Sequence, residues 1–215
     1  MTHTPLLTHT DALVVCNGEI GMTKEHVRRL LADRPFVVCA DGGANKLRRW
    51  KIRPDLIIGD LDSVIPLTRR VFSDIETIHL PDQNSTDLEK AFEYLIAHKF
   101  ARAVVLGATG EQVDHTLANI SILLKYRKKL DLVMKDALFD LFFVDGTARV
   151  ATVPGQRISL MPIGLCTGVT TDGLRFPLSH EAMEFGVREG VSNEATGAAV
   201  TVTVADGSML MMVKR

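Results

Sequence analysis

The stretch DLIIGDLDSV, residues 55–64, runs an apolar segment straight into two aspartates, Asp60 and Asp62, set one residue apart beside Gly59. Leu56, Ile57 and Ile58 show no alternation of apolar and polar positions. Such a run marks a strand buried on both faces, the condition of a parallel sheet covered by helices. If the extended run continues through Leu61, the two-residue period of a strand puts both carboxylates on one face. Like charges that close repel, and a cation between them relieves the repulsion. Two hard oxygen donors suit Mg2+, which keeps several waters and shares itself with phosphate. An ordinary turn competes with that reading, since Gly-Asp and Asp-Ser are common turn pairs.

Outward from this stretch the same pattern recurs. Apolar runs ALVVCNG (12–18), FVVCADGG (36–43), IETIHLP (75–81), RAVVLGA (102–108) and, less clearly, part of DLVMKDALFDLFFVDG (131–146) read as strands. Between them TKEHVRRLLAD, ANKLRRWK, LTRRVFSD, TDLEKAFEYLIAHK and VDHTLANISILLKYRKK have helical periodicity. Strand and helix in turn predict a parallel, Rossmann-like sheet in a three-layer α/β domain, because a parallel connection needs a crossover that is usually a helix. After Gly146 the texture changes to β-branched, alternating runs broken by Pro and Gly, which predicts an antiparallel β-sandwich. The boundary is expected near residues 145–149, giving domains 1–146 and 147–215.

Composition narrows the function. The 215 residues are 46% hydrophobic, enough to bury a full core. A formal net charge of −1 provides no general basic field, so neither nucleic acid nor a membrane surface is an expected partner. No segment approaches a membrane span, and the start MTHTPLLTHTDALVV lacks the basic and long apolar parts of a secretory signal. Cys16, Cys39 and Cys166 lack CxxC spacing and read as buried free thiols of a cytosolic protein. The seven histidines have no metal-ligand spacing, which argues against zinc.

In an open parallel sheet, ligands bind beyond the carboxyl ends of the strands. There the apolar runs end in Asp41-Gly42-Gly43, in Asp60 and Asp62, in PDQNSTDLEKA, and in GATGEQVDH. Thr86 and Glu89 form a capping-box pattern, and the dipole of the following helix alone favours Asp87 in its first turn. The same position aims Asp87 at Asp60 and Asp62, with Lys90 one turn on. The glycines of residues 107–115 let backbone N–H groups approach phosphate, although the spacing is neither Walker A nor GxGxxG. Asp114 there reads as a helix cap or as a functional acid, and His115 as a hydrogen-bonding partner in the packing. Carboxylates gathered on one edge imply a divalent metal and a phosphate-bearing substrate.

ADGGAN (40–45), GDLDS (59–63), the Thr-Asp of STDLEKA (85–91), GxxGxxxDH (107–115) and GVSNE (190–194) stand in the order and approximate spacing of the thiamine pyrophosphokinases, which this chain resembles from about Leu13 to Lys214. The resemblance implies an N-terminal α/β catalytic domain and a C-terminal β-sandwich that binds thiamine and dimerises. It also implies a homodimer with active sites at the interface and the reaction of ATP with thiamine to give thiamine diphosphate and AMP. By the same resemblance Asp60, Asp62 and Asp87 hold Mg2+, and Asp41 lies near it. Asp41, Gly42, Gly43, Asn45, Lys90, Gly107, Thr109, Gly110 and Gln112 fall on the nucleotide side. Asp114 faces the thiamine hydroxyl as the group that orients or deprotonates it, and Ser192 and Asn193 meet the aminopyrimidine. Two positions depart from the family pattern: Gln112 stands where many members carry arginine, and Asn84 where they carry aspartate. Lys90 or Arg48 is the candidate to compensate for the missing guanidinium. Two other functions compete, a pyrophosphokinase for another hydroxyl-bearing heterocycle such as a pterin, and a catalytically silent nucleotide-binding module.

Overall fold

The computed structural model describes residues 2–3, 10–110 and 112–215. Most of the first nine residues, which bear on the secretory-signal reading, lie outside this set. In chain order the elements are β1 (Thr2–His3), β2 (Ala12–Val15), α1 (Lys24–Leu30), β3 (Phe36–Ala40), α2 (Gly43–Trp50), β4 (Leu56–Gly59), α3 (Pro66–Val71), β5 (Glu76–His79), α4 (Asp87–Ala97), β6 (Arg102–Leu106), α5 (Val113–Tyr126) and β7 (Asp131–Lys135). There follow β8 (Phe139–Val144), β9 (Thr147–Ala151), β10 (Arg157–Pro162), β11 (Leu165–Asp172), β12 (Glu181–Glu184), β13 (Gly190–Glu194), β14 (Ala199–Thr203) and β15 (Met209–Lys214). They form two compact units, one ending at Ala137, the other starting at Leu138 and including β1.

The first unit is built on parallel strands in the order β7-β6-β2-β3-β4-β5. All four residues of β2 are buried, with Ala12 beside both Phe36 and Ala103. From β2 the chain steps outward to β5, then returns to lay β6 on the opposite side of β2. That reversal is the topological switch point, where a crevice opens beyond the carboxyl ends of the two neighbouring strands. Here the two ends are laced together, Cys16 N–H donating to Leu106 O (2.8 Å) and Gly18 N–H to Gly107 O (2.8 Å). Helix α4 packs against β2, β3 and β4, and α2 against β3 and α3. The capping box is present: Thr86 Oγ1 accepts from Glu89 N–H (3.2 Å), and Glu89 Oε2 accepts from Thr86 N–H (2.9 Å). Strand β5 departs from two-faced burial because it is the sheet edge, and its side chains are mostly exposed.

In the second unit β13-β10-β15-β8 form an antiparallel array, and β9, β14, β11 and β12 form a second, to which β1 adds parallel to β9. Alternate residues such as Val200 and Val202 of β14 are buried, the signature of strands with one face on a core. The break between units comes earlier in the chain than the change of texture. Strand β8, FDLFFV, is as apolar as a parallel strand, yet it pairs antiparallel with β15 from Phe139↔Lys214 to Val144↔Met209. Among the described residues no helix is long and apolar enough to cross a membrane.

Gly43 opens α2 directly on the carbonyl end of β2: a Cβ there would stand 1.9 Å from Val15 O. Gly43→Ala is therefore expected to push α2 off the sheet and lower the unfolding free energy by about 1–3 kcal/mol, the scale of overpacking a tight contact. Urea unfolding checks it, through a lower midpoint at unchanged slope.

Candidate active site

A cavity of about 820 Å3 opens beyond the ends of β2, β3, β4 and β6, flanked by the starts of α4 and α5. Its walls are residues 16–18, 40–41, 60, 62–63, 83–90, 107–110, 112, 114–116 and 118–119, all in the first unit. The cavity sits at the switch point, as the strand order requires.

Three carboxylates meet there. Asp41, Asp60 and Asp87 each bring one oxygen, and these oxygens lie within 4.8 Å of one another. Asp41, just past β3, is 4% exposed, takes the left-handed φ of 44°, and its Oδ1 is buried without a hydrogen-bond partner. Burial is the main cause that pushes its carboxyl above the ordinary range, and the neighbouring Asp87 and Asp62 add to it. Asp87 Oδ1 accepts from the backbone N–H of Asp60 (3.2 Å) and from Nζ of the buried Lys90 (3.0 Å). Gln83 Nε2 donates to Asp60 Oδ2 (3.1 Å) and is the main cause that holds the Asp60 carboxyl below its usual range. Gly59 makes the approach possible: at φ 149° it has no Cβ, which would otherwise stand 2.8 Å from Asp87 Oδ1 and 3.1 Å from Asp41 Cβ. A buried carboxylate oxygen with no donor, beside two more carboxylates, is a set that a divalent, oxygen-preferring cation satisfies.

Asp62 reaches the same cavity by another route than the sequence pattern suggests. Strand β4 ends at Gly59 and Leu61 turns to φ 64°, so strand alternation does not pair Asp62 with Asp60. Asp62 instead donates its N–H to Asp60 Oδ1 (3.2 Å) and accepts from Ser63 Oγ (2.9 Å), outside the close trio. Asp41 takes the third place in that trio.

The phosphate-side residues divide. Lys90, Gly107, Thr109, Gly110 and Gln112 line the cavity, whereas Gly42, Gly43 and Asn45 do not. The two glycines serve packing: a Cβ on Gly42 would stand 2.4 Å from Asn17 Cγ, and Gly43 lies on Val15. Asn45, 7% exposed, spends its amide on Ser63 O (2.8 Å) and Ile65 N–H (3.2 Å). Arg48 is likewise engaged elsewhere, its Nε on Thr68 Oγ1 (2.9 Å). Among the described wall residues Lys90 is the one lysine and there is no arginine. Gln112 is the N-cap of α5 and makes no side-chain capping bond.

Asp114, in the first turn of α5, is exposed and faces the cavity, its Oδ1 accepting from His115 N–H (2.9 Å). His115 is exposed there rather than packed. Ser192 and Asn193 belong to the other unit, in β13, where a register shift against β10 replaces the turn their residue types suggest. Ser192 takes φ 60° and its N–H donates to Ser159 Oγ (3.0 Å). Both ends of the Asn193 amide are occupied: Oδ1 accepts from Phe176 N–H (3.1 Å) and from Glu194 N–H (2.9 Å), and Nδ2 donates to Phe176 O (2.8 Å). The amide thus presents the Phe176 ring, 64% exposed.

Sequence reasoning passed over Asn17, Gly18 and Gln83 as wall residues. The first two follow the central strand and were open to the same strand-end argument that found Asp41. Gln83 stands inside PDQNSTDLEKA with no feature of its own to single it out. Cys16 also reaches the wall, its thiol pushed up to about 12 by burial and by Asp87, so it stays protonated. All three cysteines are buried and free.

Comparison with known proteins bears on this arrangement. A family model for the thiamin pyrophosphokinase catalytic domain matches residues 27–134, and one for the vitamin B1 binding domain matches residues 148–209. Thiamine pyrophosphokinase 3 of Oryza sativa subsp. japonica is 32% identical over 213 residues, covering 84% of this chain and 79% of that protein. Of solved structures, thiamin pyrophosphokinase from Candida albicans matches with a TM-score of 0.86 at 18% identity, over 96% of this chain and 89% of that one. The Bacillus subtilis enzyme matches with 0.85 at 20%, over 94% and 98%. At those identities the structures speak for the fold, while the two domain matches and the rice relative speak for descent: the chain belongs to the thiamine pyrophosphokinase family.

Proposed function

We propose that this chain transfers the pyrophosphoryl group of ATP to the hydroxyl of thiamine, giving thiamine diphosphate and AMP. The observation that carries the proposal is the trio Asp41, Asp60 and Asp87, with its buried and unpartnered oxygen, at the switch-point cavity of a chain from this family. Mg2+, when bound, supplies charge neutralisation for the polyphosphate. Asp41, Asp60 and Asp87 would hold it, with Asp62 alongside. Lys90, the Gln112 amide and the backbone at Gly107, Thr109 and Gly110 bind and orient the phosphates, so that the attacking oxygen lies in line with the departing AMP. Asp114 orients the thiamine hydroxyl or takes its proton. In the second unit the Ser192 hydroxyl meets the aminopyrimidine, and Asn193 acts through the Phe176 ring that it presents. The family resemblance supports a homodimer with active sites at its interface and a cytosolic enzyme.

The vitamin B1 binding match over residues 148–209 favours thiamine over a pterin, and the assembled carboxylates favour a working enzyme over a silent nucleotide-binding module. Incubation with ATP, Mg2+ and thiamine should release AMP, whereas a hydroxymethylpterin should release none. Absence of AMP with thiamine would overturn the proposal.

Three substitutions probe the roles. Asp60→Asn is expected to reduce kcat by at least about a hundredfold, the scale of losing one transition-state charge stabiliser, with the fold retained because crowding among the carboxylates is relieved. Asp41 is tested through stability. Its raised pKa means that it favours folding below the ordinary carboxylate range, and that contribution is lost as pH rises through its own higher value. Asp41→Asn should therefore raise the Tm of the metal-free protein at neutral pH and abolish most of the rise that Mg2+ produces. A variant that Mg2+ still stabilises like wild type counts against Asp41 as a ligand. Gln112→Arg should lower the KM for ATP or raise kcat, because a guanidinium pairs with phosphate through two hydrogen bonds. Titration of ATP against both proteins decides it, and an unchanged kcat/KM would mean that another group already serves that volume.

A further inference from the structure

The loop that follows β4 carries Asp60 and Asp62 on its cavity side, and it is fastened from the opposite side by two residues that do not line the cavity. Asn45 of α2 donates Nδ2–H to Ser63 O (2.8 Å) and accepts from Ile65 N–H (3.2 Å). Arg69 of α3 donates Nε–H to Val64 O (3.0 Å) and an Nη2 hydrogen to Leu61 O. Four backbone groups between Leu61 and Ile65 are thereby taken up by two side chains. The helices that supply them are themselves tied, because α2 packs on α3 and Arg48 Nε bonds to the buried Thr68 Oγ1.

The loop needs such fastening. Leu61 holds φ 64°, a conformation that disfavours any residue with a Cβ and persists only where surrounding contacts impose it. The direction of the Asp60 carboxylate depends on that same turn: its N–H is bonded to Asp87 Oδ1, and its Oδ1 receives the N–H of Asp62, just beyond Leu61. If Leu61 relaxed to negative φ, the Asp62 N–H would leave Asp60, and the exposed Gln83, which donates to Oδ2 (3.1 Å), would be the remaining side chain to aim that carboxylate at Asp41 and Asp87.

We propose that Asn45 and Arg69 are positioning residues for the reaction: they lock the left-handed turn at Leu61 and thereby preset Asp60 against Asp41 and Asp87 for a divalent cation. The inference rests on the reading of that trio as a cation site. It moves Asn45 from the nucleotide side to the support of the carboxylates, and it gives Arg69 a task that no motif suggests. Groups that orient ligands from behind typically change metal affinity by about 10–100-fold when removed, although they never touch the ion.

The probe is Mn2+, its binding to the free protein followed by electron paramagnetic resonance, together with steady-state kinetics. Arg69 lies at the surface, so Arg69→Met and Arg69→Lys should leave the fold intact. Arg69→Met is expected to weaken Mn2+ binding about tenfold or more. Arg69→Lys should fall in between, since one ammonium cannot span two carbonyls as a guanidinium does. Asn45→Ala should weaken binding as Arg69→Met does. In all three the KM for thiamine should stay near wild type, and raised Mg2+ should restore much of the lost rate. A role in stability alone would lower Tm and leave the Mn2+ dissociation constant unchanged, and that result overturns the proposal. Should Asn45→Ala fail to fold, the two Arg69 variants still decide. If the wild-type protein itself binds no Mn2+, the reading of the trio fails and this inference falls with it. If wild type binds and the Arg69 variants bind equally well, only the positioning role fails.

Discussion

Carboxylates repel one another, and the catalytic unit is arranged to hold three of them with oxygens within 4.8 Å. Each is delivered by a different device. Asp41 comes at the end of a buried strand, in a backbone conformation most residues avoid. Asp60 follows Gly59, whose missing side chain leaves the space that the other two occupy. Asp87 is the first residue of α4, where the helix dipole favours an anion and the capping box of Thr86 and Glu89 fixes the start. Lys90, one turn along α4 and 6% exposed, faces Asp87 with the one ammonium group on the described cavity wall. The strand order supplies the frame, since only the reversal between β2 and β6 opens a crevice over these ends. Remove the rigid support and the repulsion itself would open the cluster.

Much of this was legible in the residues because the signals involved are local. Apolar runs without alternation marked the inner strands, the Thr86–Glu89 spacing marked the helix start, and the acids after each run pointed to one edge. The turn at Leu61 was not legible, because its positive φ is imposed by Asn45 and Arg69 from two other helices. The sequence pattern therefore paired Asp60 with Asp62 by strand periodicity, whereas the fold brings Asp41 to that place. Asn45 illustrates the same limit: an amide beside ADGG reads as a ligand for nucleotide, and only its burial reveals that both of its polar ends are spent on the chain. Strand β8 was misleading for a different reason, since composition reports burial and is silent on the direction of the partner.

The departures at Gln112 and Asn84 bear on how charge is balanced. Six carboxylates, those of Asp41, Asp60, Asp62, Asp87, Glu89 and Asp114, line the cavity among the described residues, against the single ammonium of Lys90. The charge of Lys90 is offset by its bond to Asp87, although its other ammonium hydrogens can still meet a phosphate, and Arg48 is turned to Thr68, so neither brings the uncompensated fixed charge of an arginine at position 112. A polyphosphate entering this cavity therefore meets little fixed positive charge from side chains. What the chain offers instead is directional and uncharged: backbone N–H groups of the glycine-bearing loop after β6, the dipole-bearing starts of α4 and α5, and the Gln112 amide. Dipoles of that kind fall off faster with distance than a guanidinium does, and they act only on a phosphate already in position. Asn84 follows the same economy. Its Nδ2 donates to Asp82 Oδ1 (2.5 Å), where an aspartate would have set two carboxylates face to face and added a further acid to the cavity wall. Where fixed cations are few, the energetic weight shifts to bound cations, which makes the support of the acidic loop matter more in this chain than it would beside an arginine.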